Sequence, residues 1–253
     1  MAKIISALWK PKKHSHKGEN GKLFMIGGSR QYHGAPVFSL LAARRFVDLP
    51  YFYPGEQDSG LIASVKKNVP EAIVISKLDG IKNCDCTLFG IGLGKANADF
   101  RKIVKNSKRI VIDGDGLRQI NGNWKILSGK TIITPHEGEF KYLFGASGTK
   151  ANVIKMADKY GVVILKKDPN GDIITDGRTV RINKIHNQGM TKGGTGDVLS
   201  GLCAALFCKN DAMASAYMAA KINGLAGNRL KKKFGYNFSA TDLANEVAMA
   251  ARH

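Results

Sequence analysis

The chain has 253 residues, 43% of them hydrophobic, with 39 Lys and Arg against 20 Asp and Glu, a net charge of +19 at pH 7. That hydrophobic share suits a globular protein with a sizeable core, and no apolar run approaches the ~20 residues that cross a bilayer, so no membrane-spanning helix is expected. The charge favours anionic partners such as nucleotides, nucleic acid or acidic membranes, although a solvated lysine-rich surface gives the same balance.

The chain opens with "MAKIISALWKPKKHSHKG". Its apolar stretch is too short for a signal peptide and no small-residue cleavage site follows. Residues 1–21, basic and polar after Trp9, read as an arm. "KLFMIGG" is a strand ending in glycines, and "APVFSLLAARRFV" is a helix with Pro36 near its first position, where a missing N–H matters little. "LPYFY", "EAIVIS" and "CTLFGIG" have strand length. "ANADFRKIVKNS" is an amphipathic helix, "RIVIDGDG" a strand ending in acids and glycines, and "KTIITPH" a further strand. "EGEFKYLFG" and "ANVIKMADKYG" are helices and "VVILKK" a strand. "GDIITDGRTVRIN" is a hairpin turning at Asp176-Gly177. The last third is helical, over 197–208, 212 to about 233, and 241 to the end, with Ser239 and Asp242 spaced as an N-cap.

Strands alternating with helices imply a mostly parallel sheet covered on both faces. No linker-like shift in composition divides the chain, so a single domain over 1–253 is expected. The four cysteines, Cys84, Cys86, Cys203 and Cys208, lack paired zinc spacing. Cys203 and Cys208 lie in an apolar helical run, where thiols act as small core residues. A reducing, cytoplasmic setting is the simplest inference.

In such sheets ligands bind beyond the carboxyl ends of the strands. Here those ends carry "GGSRQYHGAP", "GIGLGK", "DGDG", "TPHEGE", "LKKD" and "GGTGD". No G-x-x-x-x-G-K-[ST] or G-x-G-x-x-G occurs. "KGGTGDVLSG" offers another kind of phosphate site. Gly193, Gly194 and Gly196 let the backbone approach a ligand closely. Their N–H groups, with those of Thr195 and Asp197, can converge on an anion at a helix N-terminus. The same field would keep Asp197 ionised as a base. The alternative is that Thr195 caps the helix and Asp197 is only a favourable first-turn acid.

"GGTGDVLSG" resembles the anion-hole-plus-aspartate motif of the ribokinase-like superfamily. "TPHEGEF" resembles that superfamily's Asn-x-x-Glu segment, with His136 in place of Asn and Glu139 as the acid. With "HKGENGKLFMIGGSRQYHGAP", "GIGLG", "VIDGDGL", "LKK" and "NQGMTKGG", the order and spacing are similar to those of the ADP-dependent NAD(P)H-hydrate dehydratases, from about His16 to the C-terminus.

The resemblance implies an α/β fold, a ribokinase-like three-layer sandwich with a mostly parallel central sheet and helices on both faces. It implies dehydration of the S epimer of NADH or NADPH hydrated at C6, a cofactor repair. ADP or ATP would phosphorylate the hydroxyl, and phosphate would then leave. Asp197 matches the family's catalytic aspartate. Ala35, Gly94 and His136 match contacts to the hydrated nicotinamide. Gly196 matches a contact to the adenine nucleotide, with Gly193, Gly194 and Thr195 completing the cradle. Lys166 matches the lysine opening the nucleotide loop, and Glu139 the acid that organises Mg2+ through water. His136 and Lys166 also have plainer readings, a turn histidine and a surface lysine. The resemblance further implies a homo-oligomer, a tetramer, and a separate NAD(P)H-hydrate epimerase as functional partner, since no epimerase domain is read in this sequence.

The sequence departs from the family at Ile91, where G-P-G-L-G is usual, in "DGDGL" for D-A-D-A-L, and at Lys167, where Lys-Gly is usual. A small-molecule hydroxyl kinase on the same fold would use the same aspartate and cradle. A basic nucleic-acid-binding protein is the other rival. "KPKKHSHK" and "RLKKK" lack aromatics that stack on bases and match no nucleic-acid module.

Overall fold

In a computed structural model of the chain, residues 8–96 and 98–252 are described. Every strand of the expected parallel sheet forms. β1 (Lys22–Gly27), β2 (Leu49–Pro54), β3 (Ile73–Val74), β4 (Cys86–Phe89), β5 (Ile110–Ile112), β6 (Thr131–Ile133), β7 (Val163–Lys166), β8 (Asp172–Thr175) and β9 (Val180–Asn183) make one nine-stranded sheet, in the order β3-β2-β1-β4-β5-β6-β7-β8-β9. Pairing is parallel from β3 across to β7 and antiparallel for β7–β8 and β8–β9. The β8–β9 hairpin turns where expected. Asp176 Oδ1 accepts from the N–H groups of Arg178 and Thr179 at 2.9 and 2.6 Å, closing the turn in place of ladder bonds.

The central strands read as apolar runs because both faces are covered. Side chains alternate between faces. Leu23 and Met25 of β1 join a core that also holds Leu88, Val111, Ile132 and Leu165. Phe24 and Ile26 join the opposite core with Phe89, Ile112, Ile133 and Ile164. On the first face lie α1 (Gly34–Ala43), α2 (Ser59–Asn68), α6 (Thr195–Phe207), α7 (Ala212–Phe234) and α8 (Ala240–Ala250). On the second lie α3 (Phe100–Asn106), α4 (Glu137–Phe144) and α5 (Lys150–Tyr160). The architecture is the three-layer α/β sandwich that the alternation of elements implies.

α2 is an addition to the expected elements. Its sequence, SGLIASVKKN, buries only Leu61 and Val65, so its apolar period is weak. Asp58 starts it, its Oδ1 accepting from Leu61 N–H at 2.8 Å. "EAIVIS" forms only the two-residue edge strand β3, and "DGDG" turns into a 3₁₀ segment over Gly114–Gln119. The final helix is capped as expected, with Ser239 Oγ accepting from Asp242 N–H and Asp242 Oδ2 from Ser239 N–H. Of the expected basic arm, residues 1–7 lie outside the described residues, as does His253 at the other end. The rest of the arm is fastened to the body: Trp9 N–H donates to Asn210 Oδ1 at 2.8 Å, and Gly18 and Asn20 N–H donate to Asp48 Oδ2 at 2.8 and 3.0 Å. The four cysteines are buried as free thiols, and Cys203 and Cys208 are core residues.

α6 is apolar nearly all round because α1, α7, α8 and the sheet surround it. Its approach to α1 is set by Gly201, where an added Cβ would stand 2.3 Å from Ser39 O. Two backbones that close leave no room for a methyl group. Gly201→Ala should therefore lower stability by about 1–3 kcal/mol, read as the urea midpoint. An unchanged midpoint would show that the α1–α6 contact is slack.

Candidate active site

The strands from β3 to β7 are parallel, so their carboxyl ends share one edge, and the chain reverses its direction of travel across the sheet between β1 and β4, the switch point where open α/β sheets bind ligands. α6 begins above this edge. Its N-cap, Gly194, has φ +91°, a conformation that L side chains rarely adopt. No side chain caps the helix. Thr195 instead turns its hydroxyl back to Met190 O and Lys192 O at 2.7 and 2.8 Å. The cap reading of Thr195 is thereby overturned. The expected cradle is also narrower, because Thr195 N–H bonds Lys192 O at 3.3 Å. The N–H groups of Gly196 and Asp197, in the first helical turn, have no intrahelical acceptor. Lys192 Nζ holds the loop from outside, donating to Tyr236 O and Phe238 O.

Asp197 is held from behind. Its carbonyl accepts from Ser39 Oγ at 2.8 Å and Ser200 Oγ at 3.1 Å. Its carboxyl is not the firmly ionised group that the helix terminus suggests. Burial, and then the Asp113 carboxylate, push its pKa up to about 7, with Lys167 opposing and Asp115 adding to the rise. Desolvation and like charge outweigh the favourable field of the first turn. Asp113 directly follows β5 and is itself buried. Lys167 Nζ lies 3.0 Å from Asp113 Oδ1 and 3.8 Å from Glu139 Oε2. Burial alone would lower the Lys167 ammonium, but Asp113, Glu139 and Asp197 raise it, so it stays charged. Burial also raises the Glu139 carboxyl, with Lys167 pulling it back and Asp113 pushing it further.

His136 is the N-cap of α4 in a reciprocal capping box. Its Nδ1 accepts from Glu139 N–H at 3.2 Å, and Glu139 Oε2 accepts from His136 N–H at 2.8 Å. Two cavities meet at this histidine. One, of about 500 Å³, is lined by Lys167, Asp168, Thr195, Gly196, Leu199 and Asn223 among others. The second, of about 570 Å³, is lined by Tyr32, Ala35, Asp115, Glu139, Tyr142 and Asp197 among others. Gly94 does not itself line the second, but its N–H donates to Asp115 Oδ2, which does, at 2.7 Å. Gly193 is exposed, and an added Cβ there would meet nothing within 4 Å. Lys166 lines neither cavity. It is buried, its Nζ pairing with Glu137 Oε2 at 2.9 Å and with Asp168 Oδ2. It is not a surface lysine. The side chain turned into the cavity is the next one, Lys167. Among the described residues no group of three or more His, Cys, Asp or Glu could hold a metal ion, and no helix is long and apolar enough to cross a membrane.

Residues 23–248 match the family model described as NAD(P)H-hydrate dehydratase. The chain belongs to that family. It is 38% identical over 261 residues to the ADP-dependent (S)-NAD(P)H-hydrate dehydratase of Cenarchaeum symbiosum, covering 92% of this chain and 88% of that one. It is 37% identical over 262 residues to the bifunctional NAD(P)H-hydrate repair enzyme of Methanocaldococcus jannaschii, covering 96% of this chain but 50% of that one. The chain thus spans about half the length of the bifunctional relatives it matches. In fold it is similar to a ribokinase-like superfamily protein from Enterococcus faecalis, with a TM-score of 0.87 at 24% identity over 98% of this chain and 93% of that one. It is likewise similar to the ADP/ATP-dependent NAD(P)H-hydrate dehydratase of Bacillus subtilis co-crystallised with ATP and Mg2+, with a TM-score of 0.78 at 20% identity over 98% and 94%.

Within this family member, sequence reasoning passed over Asp113, Asp115 and Lys167 as site groups. The signal was present, since Asp113 and Lys167 sit directly after β5 and β7 and Asp115 two residues beyond Asp113. Which strand-end side chains face one another depends on the strand order, and that is not written locally.

The raised Asp197 pKa has a consequence for stability. Folding favours its protonated form. That contribution is complete below the ordinary aspartate value and is lost as pH rises through about 7. Asp197→Asn removes the titration. The stability of the variant relative to wild type should climb between about pH 4 and pH 7 and level off above, as read by denaturant titration across that range. A gap that does not change with pH would refute the buried, raised carboxyl.

Proposed function

We propose that the chain dehydrates the S epimer of hydrated NADH or NADPH, with ADP or ATP as phosphoryl donor and phosphate as a product. The observation that carries this is the place of Asp197. Its side chain lines one cavity, while the residue before it, Gly196, lines the other. A carboxyl between two chambers, beside free N–H groups at a helix N-terminus, suits transfer of a phosphoryl group from an occupant of one to a hydroxyl in the other.

The chemistry follows from the leaving group. Hydroxide leaves carbon poorly and phosphate leaves well. In the second cavity, beside Ala35, Gly94 and His136, the C6 hydroxyl of the hydrated ring faces Asp197. The Asp197 carboxylate takes the hydroxyl proton as the oxygen attacks the terminal phosphorus, and the bond from phosphorus to the bridging oxygen breaks, leaving its electron pair on the nucleotide. With ADP the released nucleotide is AMP. A base with a pKa of about 7 is well matched to this task at neutral pH. The N–H groups of Gly196 and Asp197 hold charge that develops on the transferred group. The ring nitrogen lone pair then expels phosphate from C6, and loss of the C5 proton restores the double bond.

Lys166 serves this site by position. Clamped between Glu137 and Asp168, it fixes Asp168 at the wall of the first cavity. Glu139, which lines the second cavity, would order Mg2+ through water, since Mg2+ is commonly held by one or two carboxylates plus substrate phosphates. When bound, Mg2+ neutralises the phosphate charge. The ATP and Mg2+ in the Bacillus subtilis structure support an adenine nucleotide and Mg2+ as what the site takes. The bifunctional relatives support a hydrate epimerase as the functional partner.

Glu139→Gln should raise the Mg2+ concentration for half-maximal rate several-fold, while chelator silences the wild type. Turnover in chelator that ignores added Mg2+ would remove Glu139 from this role.

The function itself is tested by absorbance, because hydration destroys the dihydronicotinamide chromophore and dehydration restores it. Hydrated NADH or NADPH with ADP, Mg2+ and this chain should regain near-ultraviolet absorbance, with AMP and phosphate formed in equal amounts. A mixture of C6 epimers should stop partway, because one pocket aligns one hydroxyl with Asp197, and should restart on addition of an epimerase. Asp197→Asn should lower the rate by about 10²–10⁴-fold. A phosphorylated product that accumulates without returning absorbance would make the protein a hydroxyl kinase.

A further inference from the structure

Lys167 has no part in the proposed chemistry so far, yet its ammonium stands inside the site. Its Nζ lies 3.0 Å from Asp113 Oδ1 and 3.8 Å from Glu139 Oε2. A Cβ built on Gly196 would lie 3.8 Å from the same nitrogen. Nζ is thus across a narrow gap from the first turn of α6. Its backbone N–H donates to Pro135 O at 2.9 Å, which aims the side chain from the end of β7 across β6 toward β5. The side chain is 21% exposed, and that exposure opens into the first cavity, beside Gly196 and Thr195.

An ammonium has three N–H donors. One goes to Asp113. Glu139, at 3.8 Å, draws a second without a close bond. The third is left for the cavity. An anion oxygen resting on Gly196 N–H would lie within reach of Nζ on its flexible stem. We propose that Lys167 is a further catalytic residue, its Nζ donating to a non-bridging oxygen of the nucleotide's terminal phosphoryl group opposite the glycine cradle. The identity of the transferred group rests on the dehydratase reading.

Lys167 gives up no proton in this role. It stays an ammonium while the hydroxyl proton goes to Asp197 and the breaking P–O bond leaves its pair on the nucleotide. Charge gathers on the equatorial oxygens during the transfer, and a fixed cation with the helix N-terminus opposite stabilises it from both sides. Asp113, which takes no direct part, becomes a positioning residue that holds the ammonium toward the phosphoryl group.

The test compares ADP with AMP, which lacks the terminal phosphoryl group. Affinities for both are measured by calorimetry in chelator, so that no metal contributes, for wild type, Lys167→Met and Lys167→Gln. Both variants should lower ADP affinity about tenfold or more and leave AMP affinity nearly unchanged, since a hydrogen bond to a charged group is lost. Single-turnover rates with Mg2+ should fall about 10²–10³-fold in the same variants. Lys167→Gln keeps a polar head beside Asp113, so it carries the comparison if Lys167→Met does not fold. An ADP-to-AMP affinity ratio equal to wild type in the folded variants overturns the proposal. The ratio needs no hydrated cofactor. A wild type that shows the expected ratio but never restores absorbance therefore refutes the dehydratase reading and leaves the Lys167 contact standing.

Discussion

Ser39 Oγ donates to Asp197 O at 2.8 Å, beside a crossing so tight that Gly201 has room for no side chain. That one contact between α1 and α6 sets the height at which α6 starts above the sheet. α6 is buried along nearly its whole length, so it cannot slide without opening the core that α7 and α8 close. Its first turn is the exception, and there the chain puts glycines and Asp197. The rigid part of the helix thus carries the turn that bears Asp197, and the loop before it is tied down separately by Thr195 and Lys192.

The second constraint is electrostatic. Asp113, Asp115, Glu139 and Asp197 crowd the carboxyl edge of a sheet whose interior is apolar, and burial with this neighbouring negative charge raises the Asp197 and Glu139 carboxyls unless a cation intervenes. Lys167 is that cation for Asp113 and Glu139, and acts on Asp197 from further away. The arrangement leaves Asp197 partly protonated near neutral pH, which disfavours the folded state whenever the group ionises. A chain selected only for stability would keep an amide there. The proposed role of Asp197 as a base at the border of two cavities requires the acid.

Much of this was legible in the chain. Apolar runs of strand length marked the sheet, since strands buried on both faces must be apolar on both. The Ser239 and Asp242 spacing marked the last cap, and Asp176-Gly177 marked the hairpin, because Ser and Asp side chains bond nearby backbone and Gly177 takes a positive φ. The glycines of "KGGTGD" marked the start of α6, where Gly194 takes a positive φ. Where the reading fell short, local pattern was weak or ambiguous. α2 has only Leu61 and Val65 to show its period. Thr195, a good cap in sequence, bonds backward to Met190 instead.

Composition, periodicity and turn chemistry by themselves determined the layers, the element types and the glycine-rich turn that opens α6, because those depend on neighbours within a few residues. The pairing of Lys166 with Glu137 and Asp168, the turning of Lys167 toward Asp113, and the raised pKa of Asp197 were decided only by tertiary structure. They join residues from β5, α4, β7 and α6, whose meeting depends on strand order. Two successive lysines at a strand end point to opposite sides. Only the fold says that one side is a structural ion pair and the other the candidate active site.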